Sequence, residues 1–262
     1  MSEFVTLSVD DQVARVTLDR PSLHNAFNEK VMAELIDSFA KLGRMDSVRV
    51  VVLASTGKTF CAGADINWMK RMVDFSFDDN VSDATVLAKM LRTIRDCSKP
   101  VIARIHGATI GGGVGLIAAC DLAVAVESAF FSLSEVKLGI VPAVISPFVM
   151  EKIGPGAARR YALTAERFSA AEAHRIGLIS HVVDDADAMD GWIAEMCDLL
   201  KANGPLALAA CKTILTEVAG VHWDQVQART AERIAEIRVS PEGQEGLKAF
   251  LEKRPPRWQA DQ

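Results

Sequence analysis

The run Val48-Arg-Val-Val-Val-Leu-Ala54 constrains the fold more than any other feature of this chain. A strand that is apolar at nearly every position, rather than at every second one, must be covered on both faces, as in a parallel sheet flanked by helices. The preceding segment supplies such a cover. Val31, Met32, Leu35, Phe39 and Leu42 share one face of a helix over Asn28–Leu42, with Gly43 where a C′ glycine belongs. Before it, Phe4–Val9 and Val13–Leu18 read as a hairpin turning at Asp10-Asp11-Gln12. The alternation recurs as a helix around Asp83–Cys97, a strand at Val101–Ile105, a glycine-rich entry at Gly111, a helix to about Cys120 and a strand at Leu122–Val126. The fold class is therefore α/β.

Farther on, Ser169-Ala-Ala-Glu172 reads as a capping box opening a short helix that stops at Gly177. Three helices follow. Gly204-Pro205 starts one that reaches Gly220, Trp223–Val239 forms the second, and Ser240-Pro241-Glu242 supplies the N-cap, N1 proline and first-turn acid of the third. The chain divides into an α/β core over residues 1–195 and an α-helical region over 196–262, without a long linker or a short-period repeat.

Half of the 262 residues are hydrophobic, ample for a sizeable core. With 29 Lys+Arg against 34 Asp+Glu the formal charge is −5, which argues against a nucleic-acid partner held by bulk charge. Cys61, Cys97, Cys120, Cys197 and Cys211 are scattered and never form a C-x-x-C pair, so they read as buried thiols in a reducing compartment. Met1–Asp11 has no apolar h-region, and Gly111–Val126 is broken by Asp121 and falls short of the ~20 residues of a membrane span. A cytoplasmic protein with no membrane contact is expected. The histidines show no metal spacing, and no metal site is expected. Gly57-Lys58-Thr59 fails as a phosphate loop because Val52 stands where its first glycine belongs, and Gly111–Gly115 fails as a dinucleotide fingerprint at Leu116.

Two glycine-rich segments remain, Phe60-Cys-Ala-Gly-Ala-Asp65 and His106-Gly-Ala-Thr-Ile-Gly-Gly-Gly-Val-Gly115, each where a strand gives way to a helix. Small residues there admit a ligand close to the backbone, and two converging N–H donors would form an oxyanion hole. Glycine serves tight βα turns equally well, so composition alone leaves both readings open.

Several motifs in order carry a resemblance that spans essentially the whole chain. They are Leu18-Asp-Arg-Pro21 with Asn25-Ala26, Cys61-Ala-Gly-Ala-Asp-Ile66, Ile110-Gly-Gly-Gly113, Cys120-Asp121, Phe131-Ser-Leu-Ser-Glu-Val-Lys-Leu-Gly-Ile-Val-Pro142 and Phe250-Leu-Glu-Lys-Arg254. Through them the sequence resembles the crotonase superfamily of enoyl-CoA hydratases and isomerases. The resemblance implies a spiral of β-β-α turns, a C-terminal helical region that assembles subunits into homotrimers or hexamers, and an acyl-CoA thioester as substrate. No cofactor is expected beyond the CoA that the substrate carries.

Carried over by position, the resemblance gives the oxyanion-hole amides to Ala64 and Gly112. It gives the CoA path to Asn25, Ala26, Ala62, Gly63, Asp65 and Ile66, and a reach into a neighbouring subunit's CoA to Phe250 and Lys253. Glu135 is the expected general base, with a purely structural glutamate as the alternative. Hydratases of the superfamily that use two acids carry the other a few positions past the glycine triplet, where this chain has Gly115. The departure reads as space for an acyl group that brings its own distal carboxylate, to be met by Lys70, Arg71, Arg104 or Lys137. Trp68 and Met69, and Ile140, Val141, Pro142, Ala143 and Phe148, are candidate acyl-pocket residues.

Text close to Pro142–Pro147 and Ala158–Arg167 is similar to glutaconyl-type hydratases of leucine and acyclic-terpene catabolism. The resemblance therefore implies hydration of 3-methylglutaconyl-CoA to 3-hydroxy-3-methylglutaryl-CoA. Isohexenylglutaconyl-CoA or short-chain enoyl-CoA hydration, enoyl-CoA isomerisation, and a non-catalytic CoA- or RNA-binding role are the alternatives.

Overall fold

The computed structural model describes residues 3–260; residues 1–2 and 261–262, the outer ends of the two expected regions, lie outside the described residues. Strands β1 (Val5–Asp10) and β2 (Val13–Leu18) form the expected hairpin. Its two turn residues, Asp11 (φ 43°) and Gln12 (φ 64°), are both left-handed, which matches the twist of the strands they join. Helix α1 (Glu29–Leu42) follows, with the Asn28 side chain accepting from the Lys30 and Val31 amides as N-cap. Gly43 ends α1 in right-handed backbone (φ −57°), so the expected left-handed C′ glycine is corrected: the chain leaves through a further turn.

From here each unit lays one strand in each of two sheets before its helix. The first has β3 (Val50–Ser55), β4 (Thr59–Cys61), α2 (Ile66–Met72) and α3 (Phe77–Arg95); the second has β5 (Val101–Ile105), β6 (Ala108–Ile110) and α4 (Gly112–Ala118). The third has β7 (Leu122–Val126), β8 (Phe130–Ser132) and α5 (Ser146–Thr164). After β9 (Phe168–Ser169), α6 (Ala170–Arg175) and β10 (His181–Val183), the strands stand in two sheets ordered β1-β2-β3-β5-β7-β10 and β4-β6-β8-β9. This is the β-β-α spiral that the resemblance implies, in the α/β class. Val50 to Leu53 are at most 1% exposed, as a doubly covered strand requires.

The rest is helical: α7 (Ala186–Lys201), α8 (Pro205–Val218), α9 (Trp223–Val239), α10 (Pro241–Leu251) and α11 (Arg257–Ala260). The 195/196 division falls inside α7. The Glu242 carboxylate accepts from the Leu206 and Ala207 amides at 2.9 and 2.8 Å, so the first turn of α10 caps the start of α8. Lys212 of α8 ties that helix to the body through Asp121 (2.6 Å) and the Lys99 carbonyl (2.9 Å).

Four of the cysteines are buried and Cys211 on α8 is exposed; all five are free. Burial pushes the Cys61 and Cys120 thiols up to about 12 and that of Cys197 to about 11, and raises Cys97 as well. Among the described residues no helix is long and apolar enough to cross a membrane, and no group of three or more His, Cys, Asp or Glu could hold a metal ion.

Candidate active site

Parallel pairing of β4 with β6 (Thr59 opposite Ala108, Cys61 opposite Thr109) brings the two glycine-rich turns side by side. Each turn follows a strand of the same sheet and opens a helix, so the starts of α2 and α4 become neighbours. The approach is too close for side chains. A Cβ on Gly63 (φ 87°) would lie 2.9 Å from the Ile110 carbonyl oxygen, and one on Gly113 would lie 2.5 Å from that of Cys61. On Gly112 it would overlap the ring of Phe27, a residue 1% exposed and bridged to Ala64.

Three of the amides around Ala64 and Gly112 are spent on the fold. Ala62 N–H donates to the His24 carbonyl (3.0 Å), Asp65 N–H to that of Phe27 (3.0 Å), and Gly111 N–H to that of Ser132 (2.8 Å). Those of Ala64 and Gly112 find no acceptor among the described residues. Two unspent donors at adjoining helix starts can hold an oxygen on which negative charge develops.

Glu135 begins the 3-10 turn Glu135–Leu138 after β8 and lays its carboxylate over the bare backbone of Gly111. Its Oε1 is 3.1 Å from where a Gly111 Cβ would be. Oε2 is buried without a hydrogen-bond partner. Burial pushes this carboxyl above its ordinary value, against a smaller opposing pull from its own backbone amide. A dry, unpaired carboxylate beside free N–H donors can take a proton and give it back.

Several expected binding residues have side chains engaged in structural work. Asn25, 1% exposed, donates to the Thr56 and Thr59 carbonyls (both 2.7 Å) and accepts from the Arg20 amide (2.9 Å), so its side chain staples the loop and is not open to a ligand. Asp65, 4% exposed, caps α2 through the Asn67 amide (2.8 Å) and pairs with Arg20 (2.9 Å). Burial alone would raise its carboxyl, but the Asn67 amide and Arg20 outweigh that and hold it below the ordinary range. Ala26 is buried, and its carbonyl accepts from Arg20.

Trp68 is interior, packed on Phe27 with ring centroids 6.2 Å apart and bonded to Asp83. Met69 and Pro142 are half-buried, and Ile66 and Ile140 are exposed. Phe250 and Lys253 are exposed; α10 packs on α8 and α9.

Gly115 is the largest departure from expectation. The space beside it is filled: a Cβ there would overlap Ile145, so the expected room for an acyl group at this position is absent. Ile145 also lines an apolar cavity of about 340 Å³ with Leu133, Pro142 and Val149. Of the four candidate cations, Arg104 is held by Asp190 (2.7 and 2.8 Å) and Arg71 by Glu29. Lys70 and Lys137 are exposed, with no ion-pair partner among the described residues. Sequence reasoning missed Phe27 and Ile145. Phe27 adjoins the Asn25-Ala26 motif and could have been found there, whereas no local pattern marks Ile145.

The enoyl-CoA hydratase/isomerase family matches residues 8–261 of this chain. A crystal structure of an enoyl-CoA hydratase from Shewanella pealeana superposes with a TM-score of 0.94 at 42% identity, covering 98% of this chain and 96% of that one. The peroxisomal Delta(3,5)-Delta(2,4)-dienoyl-CoA isomerase of Arabidopsis thaliana is 32% identical over 98% of this chain and 96% of its own length. The crotonyl-CoA hydratase of Syntrophomonas wolfei is 30% identical over 96% of each.

Proposed function

This chain belongs to the enoyl-CoA hydratase/isomerase family, and from that premise we propose that it hydrates a 2-enoyl-CoA thioester with Glu135 as its one proton-transfer carboxylate. The observation that carries the reading is the buried, partnerless Oε2 of Glu135 lying over Gly111, next to the free amides of Ala64 and Gly112. Glu135 takes a proton from water as the oxygen bonds to C3 of the acyl chain. The electron pair of the double bond moves to the thioester oxygen, and the Ala64 and Gly112 N–H groups hold the resulting enolate. Collapse of the enolate takes the proton from Glu135 to C2, so one water has been added and the carboxylate is restored. The chain itself supplies every group in this scheme, with CoA entering as part of the substrate.

The substrate we favour is 3-methylglutaconyl-CoA, giving 3-hydroxy-3-methylglutaryl-CoA. The single glutamate and the text around Pro142–Pro147 and Ala158–Arg167 support it, and Lys70 and Lys137 are the cations left to meet a distal carboxylate. The reading assigns Phe250 and Lys253 to the CoA of a neighbouring subunit in a trimer or hexamer. It places the enzyme in the cytoplasm, consistent with five free thiols.

One observation favours a second reaction. A lone carboxylate also suffices to move a proton from C2 to C4 of a 3-enoyl thioester through a dienolate held by the same two amides, which is isomerisation. The test is a panel of 2-enoyl and 3-enoyl thioesters, assayed with wild type and Glu135→Gln. Greater kcat/KM on 3-methylglutaconyl-CoA than on crotonyl-CoA supports the substrate; the reverse rejects it. Faster turnover of 3-enoyl thioesters makes the chain an isomerase.

A further inference from the structure

Gly111 is the N-cap of α4 and Gly115 lies four residues on, its amide donating to the Gly111 carbonyl at 3.4 Å. Each bare position is covered by one side chain from the third unit of the spiral. Glu135 covers Gly111. Ile145 covers Gly115: an added Cβ would overlap its Cγ2, stand 2.9 Å from its Cβ and meet Leu91 Cδ1 at 3.6 Å. Ile145 has little freedom to yield. It is β-branched, 3% exposed, and placed at the N-cap of α5, where a shift would carry the helix with it.

We propose that Gly115 and Ile145 are a steric pair that holds the site to one carboxylate, making Ile145 a specificity-determining residue for the proton chemistry. This rests on the reading of Glu135 as the proton carrier. While Ile145 is present, any side chain at position 115 must displace it. Ile145 also puts branched hydrocarbon against position 115, four residues along the chain from the Gly111 that Glu135 covers, where a second acid would bring like charge, a coupled titration and a second group to orient water. A single carrier in a dry wall suits reactions in which one proton is taken and returned by the same group.

The first test is a double-mutant cycle read by thermal unfolding, which needs no activity. Gly115→Ala should lower the melting temperature by roughly 2–12 °C. The same change should be nearly neutral on an Ile145→Gly background and intermediate on Ile145→Ala, where only the 2.9 Å contact remains. Additive effects in both cycles would overturn the pair.

The second test combines Gly115→Glu with Ile145→Ala. The pH profile of kcat should gain a second titrating limb, and the ratio of hydration to 3-enoyl isomerisation should rise by about tenfold or more. A profile and ratio equal to those of Ile145→Ala alone would reject the specificity role, as would Gly115→Glu alone giving the same result as the double variant. Glu135→Gln separates the two claims. If that variant keeps its activity the proton-carrier reading fails, while the thermal cycle still decides the steric pair.

Discussion

Glu135 is half-buried, with its Oε2 out of water's reach. Its replacement by glutamine keeps the shape and removes proton transfer, so kcat should fall by about 10²–10⁴ with CoA affinity intact; steady-state rates and calorimetric titration with a CoA thioester check both. The same residue sets a pH dependence of stability. Burial raises its folded pKa above the ordinary 4.5, so the folded state holds the proton more tightly than the unfolded one. Its contribution is complete below 4.5 and is lost as pH rises through the folded value. Glu135→Gln should therefore gain melting temperature relative to wild type as pH climbs from about 4 to 7, and a constant difference would refute the assignment. Glu135, Ala64 and Gly112 stand in local motifs, so the sequence could put them forward as the proposed site. Asn25 and Asp65 were legible as important but not as staples, since a carbonyl partner at Thr59 or a cation at Arg20 is a fact of tertiary structure.

The long elements follow patterns that a sequence exposes. Strands β2, β5 and β7 and helix α9 have the ends the sequence predicts, because alternating or near-continuous apolar runs and polar flanks bound them. The second strand of each unit was invisible: β4, β6 and β8 are three residues each, too short to show a period, and glycines follow two of them. Helix α3 starts at Phe77, six residues before the expected Asp83, because its first turns turn apolar residues outward, with Phe77 81% exposed. A reciprocal box holds that start: the Asp79 amide donates to Ser76 Oγ (3.2 Å) and the Ser76 amide donates to Asp79 Oδ2 (3.0 Å). At α6 the expected box is only half made. Ser169 accepts from the Glu172 amide, while the Glu172 carboxylate turns to Arg175 and Tyr161. Ser76→Ala should cost about 1 kcal/mol locally and speed amide exchange over residues 77–80, leaving the global melting temperature nearly unchanged. Unchanged exchange would show that tertiary contacts, not the cap, hold the turn.

At the scale of the molecule, the helical tail exposes large apolar side chains that the proposed assembly would cover. Leu247, Phe250 and Leu251 of α10 are 50%, 81% and 77% exposed, and Trp223 of α9 is 83% exposed. Phe250→Asp should lower the assembly state in light scattering and raise KM for CoA thioesters together; a small, fully active wild-type monomer would remove the intersubunit role. Substitution is the cleaner test, because truncation after Ser240 would also take Glu242 from the start of α8. The uneven burial of the thiols gives this surface a built-in reporter. A thiolate is the reactive form, so four groups held protonated by their surroundings stay silent toward a maleimide dye while Cys211 reacts. One fast equivalent of five is the expected stoichiometry. The wild-type chain thus accepts a single fluorophore on α8 without engineering, next to the Lys212–Asp121 contact that ties the tail to the body, and its emission reports when that junction opens.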